Sequence, residues 1–271
     1  MTTTSSAAPA QPPTLNVTRH MLLDMPAPEV WQLLSDFGHV ENWHPAVARS
    51  QMLSGGPNTP GAVRKLTFMD GGTLEETLIA HEPQNLRLSY TITAGAFPVS
   101  DYTSTLSVQS AEPGKSRVTW SGNFSRAAGK DDRTATQAVE GVYDTGLQSL
   151  KTIVADRLAI QRIIGFYADG GTRGDAAVVS QAFHPSATMK FIRAGALVDE
   201  PIEAYYSNYI KPGVLLDRTV TTDYIDIRGT AASARLTLDY PTHQFIDYFN
   251  LLKIDGQWRV VSKIFHRAPK P

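Results

Sequence analysis

Residues 245–266 read FIDYFNLLKIDGQWRVVSKIFH, in which two runs of alternating apolar side chains flank Asp255-Gly256. An Asp-Gly pair between two such runs is a strong signal for a β-hairpin, because both residues adopt the backbone angles of a tight turn. Strand patterns at residues 219–228 and 231–240 come directly before it. The sequence therefore predicts a curled antiparallel sheet of four strands at the end of the chain.

The segments before this sheet are mainly helical. Helical patterns cover residues 156–168, 175–183 and 201–210, and two short strand patterns lie between the last two, at residues 189–192 and 196–198. Helices first and an antiparallel sheet last are typical of an α+β fold.

The first half of the chain has its own strand and helix patterns. A strand pattern at residues 15–25 leads into a helix near Pro28, where a first helical turn accepts proline. Five runs of period-two alternation follow, separated by turn residues, at 64–69, 73–80, 86–93, 101–109 and 117–124. A long helix pattern after Asp132 has an apolar stripe that includes Val139 and Leu150. We expect an antiparallel meander covered by that helix.

The length of the chain predicts two domains, because 271 residues exceed the roughly 100 to 150 residues of a modal domain. We place a flexible tail at residues 1–14, a first domain at residues 15–156 and a second at residues 157–271. Residues 147–164 contain neither proline nor glycine, so the last helix of the first domain should run directly into the second. Such a connection predicts rigidly coupled domains.

Composition narrows the classes of protein and partner. The chain has no cysteine, which excludes disulfides, thiolate metal sites and cysteine nucleophiles. The opening residues lack the basic start and the apolar run of a signal peptide, which predicts a cytoplasmic protein. No apolar run approaches the roughly 20 residues that cross a bilayer, and a net charge of −1 supplies no basic field for nucleic acid. Small molecules are therefore the expected partners, rather than membranes or nucleic acids.

A first candidate site follows from Glu76, which alternates in phase with the apolar Leu74 and Leu78. A carboxylate on a buried face must be paired or change its protonation. We predict Glu76 as a catalytic residue in an apolar cavity whose ligand-binding residues are Trp43, His44, Arg64, Tyr90, Tyr102, Trp120 and Tyr143. The alternative is that the aromatic residues are ordinary core, His44 is a structural cap and Arg64 is the structural partner of Glu76.

A second candidate site follows from Asp247 and Lys263, two charges on apolar strand faces. A three-residue loop with Gly256 left-handed would place Asp247 opposite Lys263, whereas a two-residue loop would place it opposite Ile264. We expect the first register, because it neutralises both charges. Asp247 is then either a catalytic carboxylate or half of a structural ion pair, and the predicted ligand-binding residues around it are Tyr167, Phe249, Lys263 and Phe265.

Four segments of the first half occur together in one family: NWHP at residues 42–45, GAVR at 61–64, GGTLEE at 71–76 and FPVSDY at 97–102. On these, residues 15–156 resemble the polyketide cyclase/dehydrase branch of the START-like (SRPBCC) superfamily. The resemblance implies a helix-grip fold, in which a seven-stranded sheet grips a long C-terminal helix around an apolar cavity. Members of that superfamily include aromatase/cyclases and binders of lipids and hormones.

The second half resembles another family. Residues 245–266, together with Tyr167, Gly174-Asp175 and the AFHP segment at 182–185, are similar to the lumazine-binding branch of the nuclear-transport-factor-like (SnoaL-like) superfamily. The resemblance covers residues 157–267 and implies a cone-shaped α+β fold. Relatives include ketosteroid isomerase, polyketide cyclases and dehydratases, besides members that only bind ligands or pair into dimers through the open sheet face.

Together these patterns predict a protein that binds a small hydrophobic or aromatic metabolite. As an enzyme it would be a cyclase, dehydratase or isomerase without a cofactor, with Glu76 or Asp247 as the base and a tyrosine as the donor to the developing oxyanion. The alternative is a non-catalytic binding or carrier protein, and a homodimer through the second domain is a further expectation. Metal, nucleotide and serine-hydrolase motifs are missing from the sequence, so we expect neither a metal nor a cofactor.

Overall fold

A seven-stranded antiparallel sheet, ordered β1-β7-β6-β5-β4-β3-β2, forms the body of the first unit, which ends at Val154. The computed structural model describes residues 13–270, so nearly all of the tail predicted for residues 1–14 lies outside the described residues. The elements of this unit are β1 (Leu15–Leu23), α1 (Ala27–Leu34), β2 (Val47–Ser54), β3 (Val63–Phe68), β4 (Thr73–Glu82), β5 (Arg87–Gly95), β6 (Val99–Ser110), β7 (Ser116–Arg126) and the first part of the helix α2 (Asp132–Arg173). The rest of α2 belongs to the second unit.

The helix α2 begins where the Asp131 carboxylate accepts a hydrogen bond from the backbone N–H of Thr134, at 2.7 Å. Side chains three or four residues apart along it are buried in the same core as the inward side chains of the sheet; in the first unit they are Ala135, Val139, Tyr143, Leu147, Leu150 and Val154. The predicted apolar stripe is confirmed, and so is the helical structure of residues 147–164.

The second unit begins at Ala155 and contains a six-stranded sheet, ordered β10-β11-β12-β13-β8-β9. After the end of α2 its elements are α3 (Ala176–Ser180), β8 (Phe183–Arg193), β9 (Ala196–Pro201), α4 (Ile202–Tyr209), β10 (Thr219–Arg228), β11 (Ala231–Asp239), β12 (His243–Ile254) and β13 (Gln257–Pro269). The four last strands pair antiparallel as predicted, but β13 also pairs with β8 in parallel. The α+β class with two sheets is confirmed.

The hairpin register that we expected between β12 and β13 is wrong. Asp255 and Gly256 both have positive φ and form a two-residue turn, so that Ile254 pairs with Gln257. The register then shifts by one residue, because Val261 is an extra residue between the pairs Leu251–Val260 and Asn250–Ser262. Asp247 consequently lies opposite Phe265, and its contact with Lys263 on the same face is diagonal.

No helix among the described residues is both long enough and apolar enough to cross a membrane.

Candidate functional site

A cavity of ≈ 280 Å³ opens inside the second unit, and we call it the second-unit cavity. Aromatic side chains form much of its wall: Tyr167, Tyr205, Tyr209, Tyr240, Phe245 and Phe265. Ligand pockets usually have about 300–1,000 Å³ and combine apolar walls with a few polar groups. This cavity therefore has nearly the size, and the lining, of a site for a small aromatic molecule.

Three polar side chains from different elements meet in this wall, and we call them the Tyr–Asp–Lys cluster. Tyr167 of α2 donates its hydroxyl proton to Asp247 Oδ2 of β12, at 2.5 Å, and accepts a hydrogen bond from Lys263 Nζ of β13, at 2.7 Å. Lys263 Nζ is also 3.0 Å from Asp247 Oδ2. All three residues are buried. Burial raises the pKa of Tyr167, and the negative charge of Asp247 raises it further, so the phenol stays protonated and can donate.

Only one of the two carboxylate oxygens of Asp247 has hydrogen-bond partners among the described residues. Its Oδ2 accepts both bonds of the cluster, whereas its Oδ1 has no hydrogen-bond partner among the residues that the structure describes. The ammonium of Lys263 lies 4.8 Å from the ring centres of both Tyr167 and Tyr205. Aromatic faces stabilise a desolvated cation, which accounts for a buried lysine at this place.

A much smaller cavity lies in the first unit, and we call it the first-unit cavity. Its free volume is ≈ 40 Å³, enough for one or two water molecules. Six of the residues predicted for the first site line it, below Val139 and Val142 of α2: His44, Arg64, Glu76, Tyr90, Tyr102 and Trp120. The strand phases derived from the sequence thus bring these side chains to one place.

Arg64 and Glu76 form a buried ion pair across β3 and β4. The Nε of Arg64 is 2.7 Å from Glu76 Oε2, and its Nη1 donates to the backbone oxygen of Phe37 at 2.5 Å. Its guanidinium also lies over the ring of Phe37, 4.0 Å from the centre. The charge of Glu76 is therefore matched within the fold, as the structural alternative required.

Hydroxyl groups connect the aromatic residues of this unit. Trp120 Nε1 donates to Tyr90 Oη and to Ser104 Oγ, at 3.1 and 3.0 Å, and Tyr143 Oη lies 2.8 Å from both Ser104 Oγ and Tyr102 Oη. Burial raises the pKa of Tyr143 to about 12, so this network is neutral at physiological pH. The sequence interpretation missed Ser104, because a serine on an apolar strand face gives no signal of its own.

Three of the predicted ligand-binding residues lie outside the two cavities. Trp43 packs edge-on against Trp120 beside a void of ≈ 20 Å³, and Tyr143 stacks on Trp120 at 4.3 Å between ring centres. Phe249 is fully buried and packs edge-on against Tyr167. Trp43, Tyr143 and Phe249 thus point into the interior as predicted, but they pack as part of the core and line neither of the two cavities.

His44 is engaged by the backbone at both ring nitrogens. Its Nδ1 accepts from the N–H of Ala46, so its Nε2 carries the proton and donates to the Val142 carbonyl of α2, at 3.0 Å. Burial lowers the pKa of His44. These contacts fasten the turn before β2 to the covering helix and leave no nitrogen for proton transfer.

Several residues of the second-unit cavity were not predicted: Tyr205, Arg218, Tyr240 and His243. His243 is the first residue of β12 as well as part of the lining. Arg218 lies just before β10, in a segment without periodicity, so no pattern could have indicated it. Within residues 13–270, no group of three or more His, Asp or Glu side chains is arranged to hold a metal ion.

Comparison with known proteins finds similar chains, each of which matches part of this one. The aldolase FrzH of Cladobotryum sp. is 36% identical over 50 residues, so the chain spans only 40% of the length of this curated relative. The solved structure of the protein XoxI from Bacillus cereus is 31% identical and covers 52% of this chain and 96% of its own, with a TM-score of 0.48. An NTF2-like protein of unknown function from Shewanella baltica is 35% identical and covers 43% and 97%, with a TM-score of 0.39.

Two family models match consecutive parts of the chain. "Polyketide cyclase / dehydrase and lipid transport" matches residues 14–155, and "Putative lumazine-binding" matches residues 155–266. Both resemblances indicated by the sequence are thereby confirmed. Because the first of these models spans more than half of the 271 residues, this chain belongs to the polyketide cyclase/dehydrase and lipid-transport family.

Proposed function

We propose that this protein binds a small hydrophobic or aromatic molecule in the second-unit cavity and converts it without a cofactor, as a cyclase, dehydratase or isomerase acting on a polyketide-like substrate. The observation that carries the proposal is Asp247, a residue of the cavity lining whose buried Oδ1 has no hydrogen-bond partner among the described residues. Leaving such an oxygen unpaired costs free energy, which a ligand that donates a proton or a hydrogen bond at this point offsets.

The roles in this reaction follow from the Tyr–Asp–Lys cluster. Asp247 removes a proton from a carbon next to a carbonyl group of the substrate, with Oδ1 as the accepting atom. Protonation of Asp247 weakens its hold on Lys263 and Tyr167, whose ammonium and hydroxyl then stabilise the negative charge on the substrate oxygen. A relative named an aldolase fits this chemistry, because an aldol reaction begins with removal of the same kind of proton.

A second candidate function is non-catalytic binding or transport of the same class of molecule. The pairing of both candidate bases favours it, since Glu76 is matched by Arg64 and Asp247 by Lys263. Matched buried charges serve as structural anchors in many proteins without chemical function. Glu76 is the weaker candidate base, because the first-unit cavity of ≈ 40 Å³ has no room for an organic substrate.

We also infer the finer features that the resemblances imply. The seven-stranded sheet and the buried stripe of α2 support a helix-grip domain at residues 15–156, and the six-stranded sheet with α4 supports a cone-shaped domain at residues 157–271. Exposed apolar side chains on the strands of the second sheet, among them Tyr224, Tyr248 and Ile264, support pairing of two copies through this domain.

Proton exchange of a small ketone tests the proposed function. The full chain is incubated in D₂O with 2-acetylnaphthalene, and deuterium in the methyl group next to the carbonyl is followed by NMR, while fluorescence reports binding. We expect the protein to accelerate exchange and Asp247→Asn to lower this acceleration roughly 10²- to 10⁴-fold with binding retained. Asp226→Asn, an exposed carboxylate of β10 outside the cavity lining, is the control and should change neither. Binding without exchange would favour the carrier function, and no binding would contradict both functions.

A further inference from the structure

Arg218 is held in the wall of the second-unit cavity by three hydrogen bonds to neutral groups. Its Nε donates to Thr172 Oγ1 at 3.1 Å, its Nη1 to Tyr240 Oη at 2.8 Å and its Nη2 to the Ala168 carbonyl at 3.3 Å. A guanidinium has five N–H groups. Two N–H groups of Arg218 therefore remain available to another acceptor.

No carboxylate within residues 13–270 forms an ion pair with Arg218. The ion pairs that the structure describes in the second unit do not include it, and the one carboxylate in the cavity lining, Asp247, is paired with Lys263. Burial lowers the pKa of His243, and the nearby charges of Arg267 and Lys270 lower it further, so this imidazole is neutral at pH 7. The lining therefore contains two cations, Arg218 and Lys263, and one anion, Asp247, which gives it a formal charge of +1.

The guanidinium of Arg218 is fixed before any ligand arrives. It lies so close to α2 that a Cβ at Gly171 would overlap its Nη2, and the preceding segment is fastened to the same helix by the bond from Leu216 N to the Thr172 carbonyl, at 2.8 Å. A cation at the C-terminal end of a helix is also stabilised by the helix dipole. These contacts explain the position of Arg218, but neutral acceptors and a partial dipole do not balance a full charge in a half-buried wall.

We propose that the second-unit cavity takes an aromatic acid, whose carboxylate binds to Arg218 while its ring lies among the aromatic side chains of the wall. This inference rests on the proposed function, because it presumes a ligand in that cavity, and it adds the class of ligand. The planar guanidinium matches a carboxylate with two parallel hydrogen bonds. The ligand carboxylate supplies the missing negative charge, and Tyr205, Phe245 and Phe265 supply flat apolar surface.

Two probes of equal shape and different charge test the proposal. 2-Naphthoate carries a carboxylate where 2-naphthamide carries a neutral amide, and fluorescence titration of the full chain measures the affinity of each. We expect the acid to bind about 10- to 100-fold more tightly, since hydrogen bonds to charged groups are worth this factor. Arg218→Gln should bring the two affinities together while binding of the amide is retained. Arg235→Gln is the control for net charge, because Arg235 pairs with Asp223 outside the cavity lining and should keep the preference.

The outcomes separate this proposal from the proposed function. Equal affinity of the wild-type chain for both probes, or an acid preference that survives in Arg218→Gln, would overturn the role of Arg218 and leave the cavity as a ligand site. Failure of both probes to bind the wild-type chain would overturn the proposed function as well. If Arg218→Gln does not fold, Arg218→Lys takes its place; it keeps the charge and loses the planar fork, and we expect a preference between that of the wild type and none.

Discussion

The single hydroxyl of Tyr167 determines how the polar groups of the second unit are satisfied. One phenolic proton allows one donated bond, which goes to Asp247, and the bond from Lys263 uses the oxygen as acceptor. The strand phases derived from the sequence placed Asp247 and Lys263 on an apolar face, which is confirmed by their burial. The contact that joins them to α2 depends on tertiary packing, and no spacing in the sequence encodes it.

His44 gives a prediction at the scale of one residue. Its pKa is lowered in the folded chain, whereas the pKa of a histidine in an unfolded chain is about 6.5. As the pH falls below that value, His44 becomes protonated in the unfolded chain but stays neutral in the folded chain. The free energy of unfolding therefore decreases until the pH reaches the lowered pKa of the folded state. Melting temperatures of the first unit should therefore drop between pH 7.5 and 5.5.

Substitutions show which histidine causes this drop in melting temperature. His44→Gln keeps a donor for the Val142 carbonyl and removes the titrating group, so its drop should be smaller than that of the wild type. His20→Gln, at an exposed position of β1, should retain the wild-type drop. An equal drop in His44→Gln and the wild type would show that other groups cause it.

At the scale of elements, strands with alternating apolar side chains were predicted and the irregular features were not. The strand β2 escaped prediction because only Val47 and Ser50 of its eight residues are buried, which leaves no period of two. The extra residue at Val261 was missed because the position of a β-bulge depends on tertiary packing against the sheet, which no sequence pattern shows. The two-residue turn and this bulge each moved the partner of Asp247 by one residue, from the expected Lys263 to Phe265. Lys263 therefore stays on the same face, and the ion pair still forms.

The approach of α2 to the first sheet gives a prediction for this helix. Glycine within a helix is normally less stable than alanine by about 0.5–1 kcal/mol. A Cβ at Gly146, however, would come within 2.7 Å of His44 and 2.8 Å of Trp120, whereas a Cβ at Gly141 meets nothing within 4 Å. Gly146→Ala should therefore destabilise the protein by about 1–3 kcal/mol, the usual cost of overpacking. Gly141→Ala should stabilise it, and urea denaturation of both variants checks the opposite signs; a stabilised Gly146→Ala would refute the close approach.

At the scale of the whole molecule, each unit has a core of its own. The buried apolar residues form two clusters with no member in common, and α2 contributes to both, with Leu147 and Leu150 in the first and Ile160 and Tyr167 in the second. The uninterrupted helical pattern at residues 147–164 predicted this helix. That the two domains are rigidly coupled stays a prediction.

Separate cores predict two separable unfolding transitions in calorimetry of the full chain. Leu106 and Leu236 are equivalent probes, since they are 2% and 0% exposed in the first and second core. Each substitution to alanine should cost about 2–5 kcal/mol, because the surrounding core collapses only partly into the space left by the lost side chain. Leu106→Ala should lower one transition and Leu236→Ala the other, and binding of 2-naphthamide should raise only the transition that Leu236→Ala lowers, because the ligand stabilises the unit that binds it. If both substitutions lower a single shared transition, the two cores unfold together, and α2 transmits the loss of one core to the other.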